Sequence, residues 1–217
     1  MKKLPTTKGV VIVNNNLIQG MIFNLRSKKT LSGEFRNLIK KITYLLILEA
    51  MKNIPLEKAV VKTPNGVVKD KKVSGEMPFI VSVLRAAEAM VPSVLELIPD
   101  APVCHIGIFR DEKTLEPQQY LQLKSIKNIK ERECIIVDPM LATGGTASFT
   151  ISLLKKKGVK KIKLLSIFAV EVGIQKVKKD HPEVQIYCAV VDPKLLRNGY
   201  IFPGCGDAGD RAFGTIK

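Results

Sequence analysis

Two segments carry residue types whose spacing can do chemistry. In the first, the apolar run Cys134 to Val137 stops at Asp138, and Pro139, Met140, Leu141 and Ala142 lead into Thr143, Gly144, Gly145 and Thr146. Glycines let backbone N–H groups turn toward one point, and a helix start behind them adds a positive dipole. The two threonines add hydroxyl donors. This is the pattern of a phosphate cradle. Asp138 disfavours a phosphate, so its place is opposite hydroxyls, as on a ribose. Phosphate and ribose at one strand end describe a sugar phosphate. The competing reading is an ordinary strand–turn–helix junction with Thr146 as its cap. A P-loop is excluded, because Gly-Lys followed by Ser or Thr occurs nowhere in the chain.

The second segment runs from Gly199 through Ile201, Gly204, Gly206, Asp207, Ala208, Gly209 and Asp210 to Arg211. Gly204 to Gly209 is a literal G-x-G-x-x-G. A dinucleotide fold needs a further strand and an acid about 20 residues later. Only eight residues follow Gly209. The glycines instead bring bare backbone close to something small and flat. Asp207, Asp210 and Arg211 either close the loop on themselves by salt bridges or present charge to a ligand.

The elements that must position these segments alternate. Leu38–Met51 reads as a helix, with Ser32 and Glu34 as its cap region. Thr63 to Gly66 is a turn and Lys69 to Lys72 is polar. Phe79–Leu84 is a buried strand, Ala86–Leu97 a helix and Val103–Phe109 a strand. Residues 110–133 form a long loop or protruding hairpin, and connections of that length are commonly functional. A strand at Cys134–Val137, a helix at Thr146–Lys157 ended by Gly158, a strand at Ile162–Val170, a helix at Val172–Lys179 and a strand at Val184–Val191 follow. The tail from Asp192 reads as loop. The expectation is an α/β fold: a mostly parallel twisted sheet with helices on both faces, as one domain over residues 1–217 with an N-terminal extension to about residue 35. Ligands in such sheets bind beyond the carboxyl ends of the strands.

Composition supports a folded chain. Of 217 residues, 46% are apolar and 25% charged, which excludes disorder and collagen for the chain as a whole. No apolar run approaches the ~18 residues of a spanning helix, and Val10 to Val13 after the basic start is only four residues long, so a cytoplasmic protein is expected. Lys plus Arg is 35 against 20 Asp plus Glu, a balance of +15. That field attracts anions: nucleic acid, an anionic surface or a phosphorylated small molecule. Cys104, Cys134, Cys188 and Cys205 lack zinc spacing, as do His105 and His181, so buried free thiols are expected. No serine or cysteine triad suggests itself from spacing.

Taken together, the two loaded segments resemble those of the uracil phosphoribosyltransferase family. Asp138–Thr146 is similar to that family's loop for 5-phosphoribosyl-1-diphosphate (PRPP), and Gly206–Thr215 to its C-terminal uracil loop. Stretches at Leu17, Glu34–Arg36, Leu84–Ala86, His105–Gly107, Arg110–Glu112, His181–Val184 and Gly199–Ile201 follow in family order, so the likeness is nearly end to end. It implies the type I phosphoribosyltransferase fold with a protruding arm at about 110–133. It implies transfer of the phosphoribosyl group to N1 of uracil, giving UMP and diphosphate. By the same resemblance, Arg85 and Arg110 contact PRPP and serve catalysis with Asp207. Asp138, Pro139, Met140, Leu141, Ala142, Thr143, Gly144, Gly145 and Thr146 hold PRPP, as does Asp207. Ile201, Gly206, Asp207 and Ala208 contact uracil. Mg²⁺ is implied as a cofactor carried mainly by the diphosphate, with no metal site built from protein, and a homodimer or homotetramer is implied. Arg85 is followed here by Ala86, Ala87, Glu88 and Ala89, where the family commonly continues Ala-Gly. Asn15 and Asn16 replace a family His-Pro, and Gln119 an arm tyrosine beside Tyr120. The alternatives from other classes are an RNA-binding regulator on the same fold and a catalytically silent subunit. The chain lacks the aromatic-interleaved basic motif the first would use, and its loops are intact, unlike the second.

Overall fold

Short apolar runs flanked by turn residues become strands here, as their β-branched content favours. The computed structural model describes residues 8–110, 117–121, 123 and 126–215, with 108–110 and 117–121 described by their backbone. In chain order these are β1 (Val10–Ile12), α1 (Asn16–Arg26), α2 (Ser32–Met51), β2 (Leu56–Thr63), β3 (Gly66–Val73) and β4 (Phe79–Val83). A 3₁₀ turn (Ala86–Ala89), α3 (Val91–Leu97), β5 (Val103–Arg110), β6 (Pro117–Leu121) and β7 (Glu133–Val137) follow. The rest comprises β8 (Met140–Leu141), α4 (Gly145–Lys156), β9 (Lys161–Val170), α5 (Glu171–Asp180), β10 (Gln185–Asp192), β11 (Lys194–Leu195), β12 (Ile201–Phe202) and α6 (Ala208–Phe213).

The main sheet has the order β1-β10-β9-β7-β4-β5-β6, with β8 also pairing β9. All its pairings are parallel except β5 with β6. β4 is buried at all five positions and β7 at four of its five, as strands covered on both faces must be. Both stand in the middle of the sheet, in register at Ile80 with Ile135 and Ser82 with Val137. The connection from β4 leads to β5 on one side, while β7, β9 and β10 extend on the other. The order therefore reverses between β4 and β7, and the crevice beyond their carboxyl ends is the switch point at which such sheets take ligands.

α2 buries Phe35, Leu38, Ile39, Ile42, Leu46 and Ile47, a 3.6-residue stripe. Its N-cap is Leu31, and Ser32 is its first helical residue with no side-chain cap bond, so the expected Ser32 cap is corrected; Glu34 does lie in the first turn. The helix expected over Ala86–Leu97 is divided. Pro92 lies in the first turn of α3, where its missing N–H is tolerated, and a continuous helix would need that N–H. Residues 8–35, read as an extension, supply edge strand β1 and the buried Ile18, Leu25 and Phe35. β2 and β3 form a hairpin where the sequence predicts only a turn beside a polar stretch. β6 folds back on β5, consistent with a hairpin in the 110–133 arm. Residues 111–116, on which an arm closing over the site depends, lie outside the described residues. Among the described residues no helix is long and apolar enough to cross a membrane.

Thr150 Oγ1, on α4, is the buried side-chain oxygen without a hydrogen-bond partner among the described residues. A buried unpaired hydroxyl costs free energy that an isosteric methyl avoids. Thr150→Val is expected to stabilise the protein by about 1 kcal/mol, read as a higher midpoint in thermal or urea unfolding.

Candidate active site at the switch point

Asp138 follows directly on buried β7. Its N–H donates to Leu165 O at 3.1 Å and its C=O accepts from Ser166 Oγ at 2.7 Å, so its backbone is fixed against β9. Its half-buried carboxylate accepts the Met140 N–H at 3.1 Å. Burial pushes its pKa up to about 6, with the Met140 bond opposing. β8 then pairs with β9 and holds Met140 and Leu141 at the sheet's edge.

The loop from Ala142 to Gly145 is shaped by close backbone approach. Gly144 has φ +78°, and a Cβ there would lie 2.5 Å from Gly173 O. A Cβ on Gly173, in the first turn of α5, would lie 2.4 Å from Ala142 O. The loop and α5 therefore meet without side chains between them. Thr143 Oγ1 accepts from the Gly145 N–H at 3.3 Å, and Gly144, not Thr146, is the N-cap of α4. The first-turn amides of α4 lack helical partners by construction and carry the positive end of its dipole. That arrangement can hold an anion.

Across the crevice, Arg85 follows β4 through Leu84 and caps the 3₁₀ turn. The Leu84–Arg85 peptide is cis, as is Phe202–Pro203. Arg85 Nη2 meets Asp210 Oδ1 at 2.7 Å, and Thr215 Oγ1 donates to the same oxygen at 2.6 Å. Glu88 does not face the Arg85 guanidinium: its Oε1 accepts from Ser82 Oγ at 2.6 Å and lies 2.9 Å from His105 Nδ1. Ser82 and His105 are register partners on β4 and β5, so Glu88 bridges the two strands. Arg110 is the last residue of β5 and is described by its backbone.

The tail, expected as loop, holds regular elements. Residues 208–213 form α6, with Asp207 as N-cap accepting the Asp210 N–H at 2.8 Å. Ile201, Cys205, Ala208 and Ala212 are buried, so the tail belongs to the core. Arg211 makes no salt bridge within the loop; it donates to the carbonyls of Leu25, Ser27 and Cys205.

One cavity of about 380 Å³ joins these pieces. Asp138, Met140 and Ala142 line one side, Ala86 another, and Ile201 with Gly206–Gly209 the third. Asn198, Gly199 and Tyr200 complete it. The structure thus brings Asp138, Met140, Ala142, Ile201, Gly206, Asp207 and Ala208 to one space, with Arg85 tied to α6 beside it. Pro139, Leu141 and Thr143–Thr146 belong to the same loop without lining this cavity. Sequence reasoning missed Ala86, Asn198 and Tyr200 as lining residues, and nothing in their types marks them. His181 is buried between α4 and α5 against Ser148 and Ser152, remote in role from this cavity. All four cysteines are buried and free, and burial pushes Cys205 up to about 12, so none is a ready nucleophile.

The chain is similar in sequence and in fold to known proteins. The family model described as uracil phosphoribosyltransferase matches residues 11–215. A uracil phosphoribosyltransferase of Lactobacillus delbrueckii subsp. bulgaricus is 48% identical over 204 residues, covering 94% of this chain and 97% of the relative. One from Dictyoglomus turgidum is 46% identical over 206 residues, covering 95% and 99%. Among solved structures, the AQ2163 protein from Aquifex aeolicus superposes with TM-score 0.83 at 32% identity over 94% of this chain and 97% of that one. Adenine phosphoribosyltransferase from Trypanosoma brucei shares the fold at TM-score 0.55 and 15% identity, covering 89% and 85%.

The raised Asp138 pKa has a consequence for stability. Its folded value of about 6 exceeds the ordinary carboxylate value of 3.8, so the folded state binds the proton more tightly and stability falls as pH rises from 4 through 6. Asp138→Asn is expected to be more stable than the parent at pH 7.5, by about 3 kcal/mol, and equal to it near pH 3.5. Unfolding midpoints at the two pH values check this.

Proposed function

The chain belongs to the uracil phosphoribosyltransferase family, and on that premise we propose that it transfers the phosphoribosyl group of PRPP to N1 of uracil at the cavity just described. The observation that carries the reading is the meeting of two loops. The loop after Asp138 and the glycine loop before α6, 60 residues apart in sequence, line one space at the sheet's switch point.

The Ala142–Thr146 backbone and the start of α4 would hold the 5′-phosphate. Asp138, as a carboxylate, would accept hydroxyls of the ribose. Arg85 and Arg110 would contact the diphosphate, Arg85 exchanging its partner Asp210 for the substrate. N1 of the base attacks the anomeric carbon as the C1–O bond to diphosphate breaks, the bonding pair leaves with diphosphate, and the N1 proton passes to the departing diphosphate or to water. The centre passes through an oxocarbenium-like state, as in glycoside cleavage. Such a reaction needs positioning and stabilisation of the leaving charge more than a strong base. The lack of a histidine in the cavity fits that demand.

Among the described residues no group of three or more His, Cys, Asp or Glu converges as a metal site. The cavity's donors are the separate carboxylates Asp138 and Asp207, a set suited to Mg²⁺ that arrives on the diphosphate with waters retained. Bound there, the ion would neutralise leaving-group charge. Base choice would rest on peptide groups near Gly206–Ala208: uracil offers an O4 acceptor and an N3–H donor, and cytosine reverses both.

We read residues 1–217 as one domain, since β1 pairs with β10 and α1 touches the C-terminal loop. A homo-oligomer suits the β2–β3 hairpin, where Leu56, Val60 and Val67 are exposed on a two-stranded ribbon that gains stability when a second copy covers it. Buried free thiols suit the reducing cytoplasm. No finding favours the RNA-binding alternative.

Incubation with uracil, PRPP and Mg²⁺ is expected to give UMP and diphosphate, with cytosine, orotate and hypoxanthine as poor substrates; no UMP would refute the reading. Asp207→Ala is expected to abolish most UMP formation and also to cost about 1 kcal/mol of stability, because it removes the α6 cap. Asp207→Asn retains capping ability and separates the two effects: it should keep the parent's unfolding midpoint and still lose activity.

A further inference from the structure

An ion pair between a buried carboxylate and a half-buried arginine holds the glycine loop from outside the cavity. Asp192 ends β10 and is 4% exposed. Its two oxygens take the Arg26 guanidinium bidentately, at 2.6 and 2.9 Å. Arg26 is the last residue of α1, in the N-terminal segment that neither loop motif includes. The pair grips one residue on both of its backbone polar groups, and so the two peptide units that meet there: Asp192 Oδ2 accepts the Gly204 N–H at 2.9 Å, and Arg26 Nη1 donates to Gly204 O at 2.9 Å.

Gly204 sits between Ile201 and Gly206, both of which line the cavity. Its φ is +52°, and a Cβ there would lie 2.2 Å from Ile201 O, so the loop turns back on itself at this residue. Fixing Gly204 fixes where the peptide groups of 205–208 face. The attachment is reciprocal. Arg211, on α6 beyond the loop, donates to Leu25 O, Ser27 O at 2.5 Å and Cys205 O at 2.8 Å, while stacking over Phe35. Arg26 holds the loop from α1, and Arg211 holds the end of α1 from α6. The Arg26 guanidinium also lies over the Phe168 ring of β9, 5.1 Å from its centre, which leaves it little freedom.

We propose that Arg26 and Asp192 are positioning residues for base recognition: by clamping Gly204 they set the orientation of the 205–208 peptide groups, so that α1 is part of the base specificity device. This rests on the uracil phosphoribosyltransferase reading. Neither side chain lines that cavity, though Arg26 borders the adjoining hollow beside Cys205, Gly206 and Asp207; their hydrogen bonds to Gly204 carry their effect through the loop. Peptide groups that discriminate uracil from cytosine by donor and acceptor order must be held to a fraction of an ångström, and a backbone loop with three glycines does not hold itself.

Steady-state kinetics of the full chain with uracil and PRPP varied separately, and cytosine as a competing substrate, test the proposal in Arg26→Lys and Asp192→Asn. Lysine keeps the charge beside Asp192 but lacks the planar fork that reaches both the carboxylate and Gly204 O. The expected result is a rise in uracil KM of about tenfold or more, a PRPP KM changed by less than about threefold, and weaker discrimination against cytosine. Amide hydrogen exchange should quicken at 204–208 and stay as in the parent in β4, β7 and β9. An unchanged uracil KM in folded variants overturns the proposal, and so does equal loss toward both substrates with exchange quickened throughout, the mark of a merely structural pair. A parent protein that makes no UMP overturns the family reading and this proposal with it, whereas an active parent with an insensitive Arg26→Lys overturns the proposal alone. If Asp192→Asn fails to fold, Arg26→Lys, which leaves no charge unpaired, decides the question.

Discussion

A strand hydrogen-bonded along both edges has no backbone group left for a ligand, and this constraint locates the chemistry. β4, β7 and β9 each pair with strands on both sides and are largely buried. Free donors and acceptors occur only where these strands end. β4 and β7 are neighbours whose connections leave in opposite directions, so the space past their ends is not crossed by a helix. Arg85 stands at one rim and Asp138 at the other, each within two residues of a buried strand.

The loops at this edge do their work with backbone. Gly173 and Gly144 let α5 and the loop after Ala142 touch main chain to main chain, which fixes the loop more firmly than flexible side chains would. Gly206 plays a different part: it has room for a side chain, with Arg211 Cδ 3.7 Å away, but its φ of +80° suits glycine. Neither histidine enters the cavity. His105 is engaged with Glu88 and His181 with the α4–α5 seam. What remains is a site that holds charges and planes in place, as a reaction limited by positioning and leaving-group charge requires.

Charge is placed at some expense to the free protein. Asp138 is ionised at neutral pH in surroundings that resist ionisation, which a hydroxyl-bearing ligand would relieve. Asp192 lies out of water and Arg26 is half-buried beside it, and a carboxylate so placed is costly to desolvate and costly to leave unpaired. Such an arrangement specifies one geometry for the loop it touches. It also ties the first helix of the described chain to the end of β10, two segments more than 160 residues apart.

The order of elements, the parallel sheet and the two loaded loops were legible in the sequence, because buried strands, glycine turns and helix stops are local and leave local marks. Cys134–Val137 ending in Asp138 and Thr143–Thr146 opening a helix needed no partner to be recognised. The 3₁₀ break could have been read from Pro92, and α6 was hidden by the glycines around it. The division of labour among the charged residues was not legible. Whether Asp210 would meet Arg211 or Arg85, whether Glu88 would face the cavity or His105, and which carboxylate Arg26 would find all depend on contacts between distant segments. The sequence by itself determined the elements and the loops able to carry chemistry; only the tertiary structure decided which charges pair and which peptide groups they orient. The physical reason is that a salt bridge depends on separation in space, and sheet topology sets that separation.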